Sequence, residues 1–166
     1  MALFSTLLTH FRFALLIFGL LLEIQSSLLA QSPVSFFKSQ VTGTSLSKPS
    51  SLQFGPDGRL YVSQVNGLIR AFTLARTGPG QYAVTATETI DLVQKIPNYN
   101  DDGTFNPNVK TRQVLGILVK GTPTAPVLYV SSNDPRTGGG NGDLNLDTNS
   151  GIISKLFKNA NGNWEK

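Results

Sequence analysis

Residues 49–74, PSSLQFGPDGRLYVSQVNGLIRAFTL, place three short alternating strands around two turns, and a stretched copy of that unit returns later in the chain. Leu52 and Phe54 lead into Gly55-Pro56-Asp57-Gly58, where proline presets φ for a turn and Gly58 tolerates a positive φ. Leu60-Tyr61-Val62-Ser63 follows, and Asn66-Gly67 then predicts a tight hairpin into Leu68–Leu74. In the later copy Leu118 leads in, Leu128-Tyr129-Val130-Ser131 repeats the middle strand, and Gly151–Phe157 repeats the third. The extra length of the copy falls between Ser131 and Gly151. Insertions in repeat proteins map to loops on one face, often the binding face. Repeated antiparallel units of this kind are the sequence signature of β-propeller blades.

The mature region reads as all-β, because no segment of it sustains a helical period. Blade one is expected over about 49–93. Tyr82–Thr87 forms its outer strand after the turn Arg76–Gln81, and Ile90–Val93 continues toward the next blade. Blade two is expected over about 113–166, opening with the apolar run Gln113–Val119, which suits a central strand buried on both faces. Between them lies a loop rich in Asn, Asp, Gly and Pro, from Pro97 to Pro107. Residues 31–48 are a lead-in strand or linker. Residues 1–30 have the order of a secretory signal peptide: His10 and Arg12, an apolar run from Phe13 to Leu22, and a more polar exit ending at Ala30. An uncleaved membrane anchor is the competing reading of that segment, and the expected location is secreted, cell envelope or periplasm.

Composition narrows the chemistry. There are no cysteines, hence no disulfide framework, thiolate metal site or cysteine nucleophile. The single histidine, His10, falls inside the signal segment, so no imidazole base is expected after processing. The net charge is +4, but the basic residues are scattered, which argues against a nucleic-acid role. No pair of carboxylates or hydroxyls has a diagnostic spacing, and no catalytic residue is assigned. Tyr61 and Tyr129 occupy equivalent strand positions, which suits packing between blades.

The site candidate lies in the insertion from Asn133 to Ser150. Asp143, Asn145, Asp147 and Asn149 alternate there and present hard oxygen ligands of the type Ca²⁺ prefers. The EF-hand pattern fails, with Thr148 in place of the turn glycine and Ser154 in place of the bidentate glutamate. A solvated, turn-rich loop is the other reading, as it is for Asp101-Asp102-Gly103. Gly138-Gly139-Gly140-Asn141-Gly142 matches neither the dinucleotide fingerprint nor the P-loop.

The blade motif Pro49-Ser50-Ser51-Leu52, Phe54–Val62 and Asn66–Ile69 resembles that of the glucose/sorbosone dehydrogenase group, the soluble quinoprotein sugar dehydrogenase-like β-propellers. The stretches Leu128–Pro135 and Asn149–Leu156 look similar to the next blade of secreted bacterial members. The resemblance implies a six-bladed propeller, pyrroloquinoline quinone (PQQ) as cofactor, Ca²⁺ holding it, and sugars oxidised at the anomeric carbon with a histidine base. No catalytic or quinone-binding residue transfers to a position here. The chain is thus expected to supply about two blades of a longer protein, with the missing downstream blades as partners and oxidation of sugars dependent on them. Two other classes remain open: a non-catalytic propeller that binds glycans or proteins through its loop-face insertions, and a lactonase-like hydrolase.

Overall fold

A computed structural model of the chain describes residues 35–100, 102–136 and 151–166, so the segment read as a signal peptide and the oxygen ligands Asp143, Asn145, Asp147 and Asn149 lie outside the described residues. The chain divides into two units, residues 1–38 and 39–166. Of the first, only residues 35–38 are described; Phe36 and Phe37 are exposed there. The second unit is all-β, with two four-stranded antiparallel sheets and no α-helix among the described residues.

The first sheet runs β1 (Pro49–Phe54), β2 (Leu60–Gln64), β3 (Ile69–Gly78) and β4 (Gln81–Ile90), each strand beside its sequence neighbour. Its tight turns are set where the sequence places glycine. Gly58 has φ 76° and Gly67 φ 91°, and the Gly67 N–H closes the second turn on the Gln64 carbonyl at 3.0 Å. The second sheet repeats the order as β5 (Gln113–Gly121), β6 (Pro126–Asn133), β7 (Ile152–Lys158) and the two-residue β8 (Trp164–Glu165). Ile90 ends β4, and residues 91–96 turn rather than extend. Among the described residues the lead-in forms no strand and touches β4 through a parallel bridge, Thr42 to Ala83.

The registers of the two sheets coincide. Leu60 stands between Phe54 and Phe72, while Leu128 stands between Val119 and Leu156. Tyr61 stands opposite Ala71, and Tyr129 opposite Lys155. Cross-strand partners share a face, so each sheet has two matching faces. Tyr61, Ile69, Ala71 and Ile90 of the first sheet form one core with Val119, Leu128, Val130 and Leu156 of the second, joined by Val93 and Ile96 from the connecting segment. Burying each large aliphatic side chain of that core contributes roughly 1.5–3 kcal/mol.

The equivalent tyrosines differ in burial. Tyr61 is fully buried, edge-on to Trp164 with ring centroids 6.5 Å apart, whereas Tyr129 is exposed. Their shared strand position turns both toward the same side of their sheets, and only the first sheet has a second one stacked on that side. For the same reason β5 is buried on one face only: Leu115 and Leu118 are exposed while Val114 and Val119 are covered, contrary to the expectation from its apolar run.

A charged seam also joins the sheets. Glu88 on β4 accepts hydrogen bonds from Arg59 Nη1, from Lys158 Nζ at 3.1 Å and from the Trp164 indole N–H at 3.0 Å. Arg59 also bonds Asp57 at 2.7 Å and donates to the Tyr61 hydroxyl at 2.7 Å, and that hydroxyl donates to Asp57 at 2.8 Å. Burial raises the Glu88 carboxyl, but the Arg59 and Lys158 bonds and charges outweigh it and hold it below its ordinary value. Burial and the bond to Asp57 push the Tyr61 phenol well above its ordinary value. Arg59 and Lys158 thus both pair with Glu88 at the contact between the sheets.

Candidate functional site

One polar cluster gathers where the β2–β3 turn, the segment 91–112 and the end of β6 meet. The tight Gly67 turn makes this convergence physically close. A Cβ built on Gly67 would lie 2.8 Å from the Arg112 carbonyl oxygen and 2.8 Å from Gln94 Cα. Gln94 answers by donating its amide N–H to the Asn66 carbonyl at 3.0 Å.

Arg112 is the centre of the cluster. It directly precedes β5, and its side chain is fully buried. Its Nη1 donates to Asn98 Oδ1 at 2.9 Å and its Nε to Ser132 Oγ at 3.3 Å. Asn98, buried as well, spends its N–H groups on the carbonyls of Val109 (3.0 Å) and Thr111 (2.8 Å). One amide thus shapes the loop and orients the guanidinium together. Burial lowers the affinity of Arg112 for its proton, with the charge of Asp134 opposing the shift.

Asp134 and Arg136 form the outer part. Arg136 contacts Asp134 through Nε at 3.0 Å and Nη2 at 2.8 Å, and it reaches back to Asn100 Oδ1 at 3.0 Å and the Tyr99 carbonyl at 2.6 Å. The segment that follows β6 is thereby tied to the Asn-rich loop. Burial raises the Asp134 carboxyl; the bonds from Arg136 and the charges of Arg136 and Arg112 outweigh that and keep it ionised. Between these groups, Asn133 donates to Gln113 Oε1 and to the Asp134 carbonyl, both at 3.0 Å. Its own Oδ1 is buried and accepts no hydrogen bond among the described residues. A buried amide oxygen without a donor costs roughly 1–3 kcal/mol.

Calcium and the quinone can be tested against these groups. Among the described residues no three His, Cys, Asp or Glu side chains gather. Asp134 is already neutralised by arginine, which does not suit a hard cation. Arg112 is spent on Asn98 and Ser132, and residues 31–166 contain no histidine. The oxygen ligands the sequence singled out, Asp143, Asn145, Asp147 and Asn149, lie outside the described residues, and no chemical step is derived through either group.

The sequence pointed to the insertion from Asn133 to Ser150 and to the Asp101-Asp102-Gly103 turn. In the latter, Asp102 Oδ1 accepts from the Thr104 N–H at 2.9 Å and its hydroxyl at 2.6 Å, a self-contained turn. Arg112 and Asn98 escaped the sequence reading, whereas Asn133, Asp134 and Arg136 belong to the insertion it singled out. The available signal was an arginine abutting an apolar strand and facing an Asn-rich loop, a pattern shared with many ordinary turns. Searches of protein-family models, of curated proteins and of solved structures yield no match to this chain.

Proposed function

We propose that this chain is the opening part of a secreted sugar dehydrogenase-like propeller, with its two sheets as the first two of six blades. Sugar oxidation then requires further blades that bring the quinone seat and a histidine base. The observation that carries this reading is the coincidence of register between the sheets, Leu60 with Leu128 and Tyr61 with Tyr129, each between equivalent partners. Such a repeat stacks one sheet on the next, and it agrees with the blade motif in the sequence.

The test is to express the uninterrupted natural reading frame, add PQQ and Ca²⁺, and follow dye reduction with aldoses. Quinone-dependent turnover supports the proposal. If the whole product reduces no dye with any aldose although it binds the quinone, the sugar-oxidising reading fails.

A second reading is a propeller that binds glycans or proteins without catalysis, through the insertion that begins at Asn133. Calorimetry with oligosaccharides in the absence of quinone separates the two. Binding that Asn133→Leu abolishes, with no turnover under any condition, supports the non-catalytic reading.

A further inference from the structure

The segment 91–112, which links β4 to β5, folds back on itself and holds a cleft of about 160 Å³ between its limbs. Buried Ile96 lines it together with Pro97, Phe105, Pro107 and Val109. The limbs are tied to each other. The Asn106 N–H donates to the Asn98 carbonyl at 3.0 Å, and the Asn98 amide holds the Val109 and Thr111 carbonyls at 3.0 and 2.8 Å. Tyr99 and Phe105 pair antiparallel, their rings edge to face with centroids 6.0 Å apart. A cleft braced in this way is preformed, so a ligand does not have to order it.

The polar groups of the cleft point to one kind of guest. Gln94 spends its amide N–H on the Asn66 carbonyl, and Asn106 spends both ends of its amide on Asn100 and Asn108. No Asp or Glu is among the described residues that line it. Its charges are Lys95 and Lys110, both exposed. Lys95 pairs with Asp91 at 2.8 Å in solvent, and Lys110 makes no ion pair among the described residues. An apolar hollow whose charges are both cationic takes an apolar body with an anionic end. A cavity of about 150 Å³ holds benzene, so the volume here admits a single ring. Phe105, 57% exposed, offers that ring an aromatic partner beside the prolines. Separate ammonium groups, with no arginine fork beside them, suit a carboxylate.

We propose that this cleft binds a small aromatic carboxylate, its ring among Pro97, Phe105 and Pro107 and its anion beside Lys95 and Lys110. The fused-ring quinone of the sugar-oxidising reading exceeds the volume. The inference is therefore independent of that reading, and of the polar cluster around Arg112.

Benzoate titrated into the purified full chain, isotope-labelled and followed by its backbone amide resonances, tests it. Saturating shifts are expected at Lys95, Ile96, Phe105, Val109 and Lys110, with a Kd on the order of 1 mM for a ligand this small. Benzyl alcohol, which has the ring without the charge, is expected to bind at least about fivefold more weakly. Lys110→Gln should weaken benzoate about threefold and leave benzyl alcohol unchanged. Phe105→Ala should weaken both. Raising the salt concentration should act on benzoate alone. Both substitutions fall on exposed side chains, and amide spectra without ligand verify that the variants fold. Absence of shifts in the cleft at about 20 mM benzoate overturns the inference. So do equal affinities for benzoate and benzyl alcohol, or a benzoate affinity that neither substitution changes. None of these results bears on the dye-reduction assay.

Discussion

Gln53 and Val119 meet as if two strands were paired, although one partner is a side chain. The Val119 N–H donates to Gln53 Oε1 at 2.8 Å, and Gln53 Nε2 donates to the Val119 carbonyl at 3.2 Å. β5 is an edge of its sheet, with backbone groups unmatched on one side. The primary amide supplies one acceptor and one donor at backbone spacing, and so satisfies that edge where the sheets touch.

Replacing this amide tests the clamp. Gln53→Leu keeps the volume and removes both bonds, leaving the Val119 backbone groups without partners. A loss of about 1–3 kcal/mol is expected, read as a lower urea midpoint with an unchanged slope. An unchanged midpoint would show that water replaces the amide at no cost.

Arg112→Met removes a buried charge together with its bonds to Asn98 and Ser132. A loss of about 2–4 kcal/mol is expected, because Asn98 loses the group that orients it and Asp134 loses a compensating charge. Arg112→Lys should recover little, since an ammonium cannot span two acceptors held by a planar fork. Thermal unfolding of both variants measures this, and full stability of the lysine variant would contradict it.

Two glycines separate backbone strain from crowding. Gly58 has φ 76° and open space around its absent side chain, whereas Gly67 has φ 91° and would push a Cβ against the Arg112 and Gln94 backbone. Gly58→Ala should cost about 1 kcal/mol and Gly67→Ala at least about 2 kcal/mol more. Equal losses in chemical denaturation would show that the segment around Gln94 yields.

The charged seam predicts an acid dependence. Glu88 and Asp57 are both held below their ordinary values of 4.5 and 3.8, the bonds and charges of their partners overcoming burial. Each therefore binds its proton more readily in the unfolded chain. Their stabilisation is complete above those ordinary values and drains away as pH falls through the lower folded values. Glu88 is about a third exposed, so its share is modest, about 1 kcal/mol. Denaturant midpoints measured from neutral to acidic pH should fall less steeply in Glu88→Gln than in the parent chain.

Local chemistry was legible in the sequence. Pro56, Gly58, Asn66 and Gly67 fix turns from within a few residues, and alternation around Leu60 and Leu128 fixes strands whose faces follow automatically. The site was not legible, because its bonds join positions that no short pattern links. Asn98 and Arg112 are 14 apart, Arg112 and Ser132 20, and Arg136 and Asn100 36. Arg112 looked like one more scattered surface charge until the fold closed over it. The apolar run of β5 misled for a related reason: its composition cannot tell whether a second sheet lies on one side or on both.

The bridge from Thr42 to Ala83 has a consequence for how the protein is made. The Thr42 N–H bonds the Tyr82 carbonyl at 3.1 Å, and the Val84 N–H bonds the Thr42 carbonyl at 2.9 Å. β4 is the outer margin of its sheet and ten residues long, a ready template for a stray strand. The residue that occupies it leaves the ribosome before any part of β4 does. A nascent chain therefore already carries the residue that satisfies Tyr82 and Val84 on the margin it is about to create.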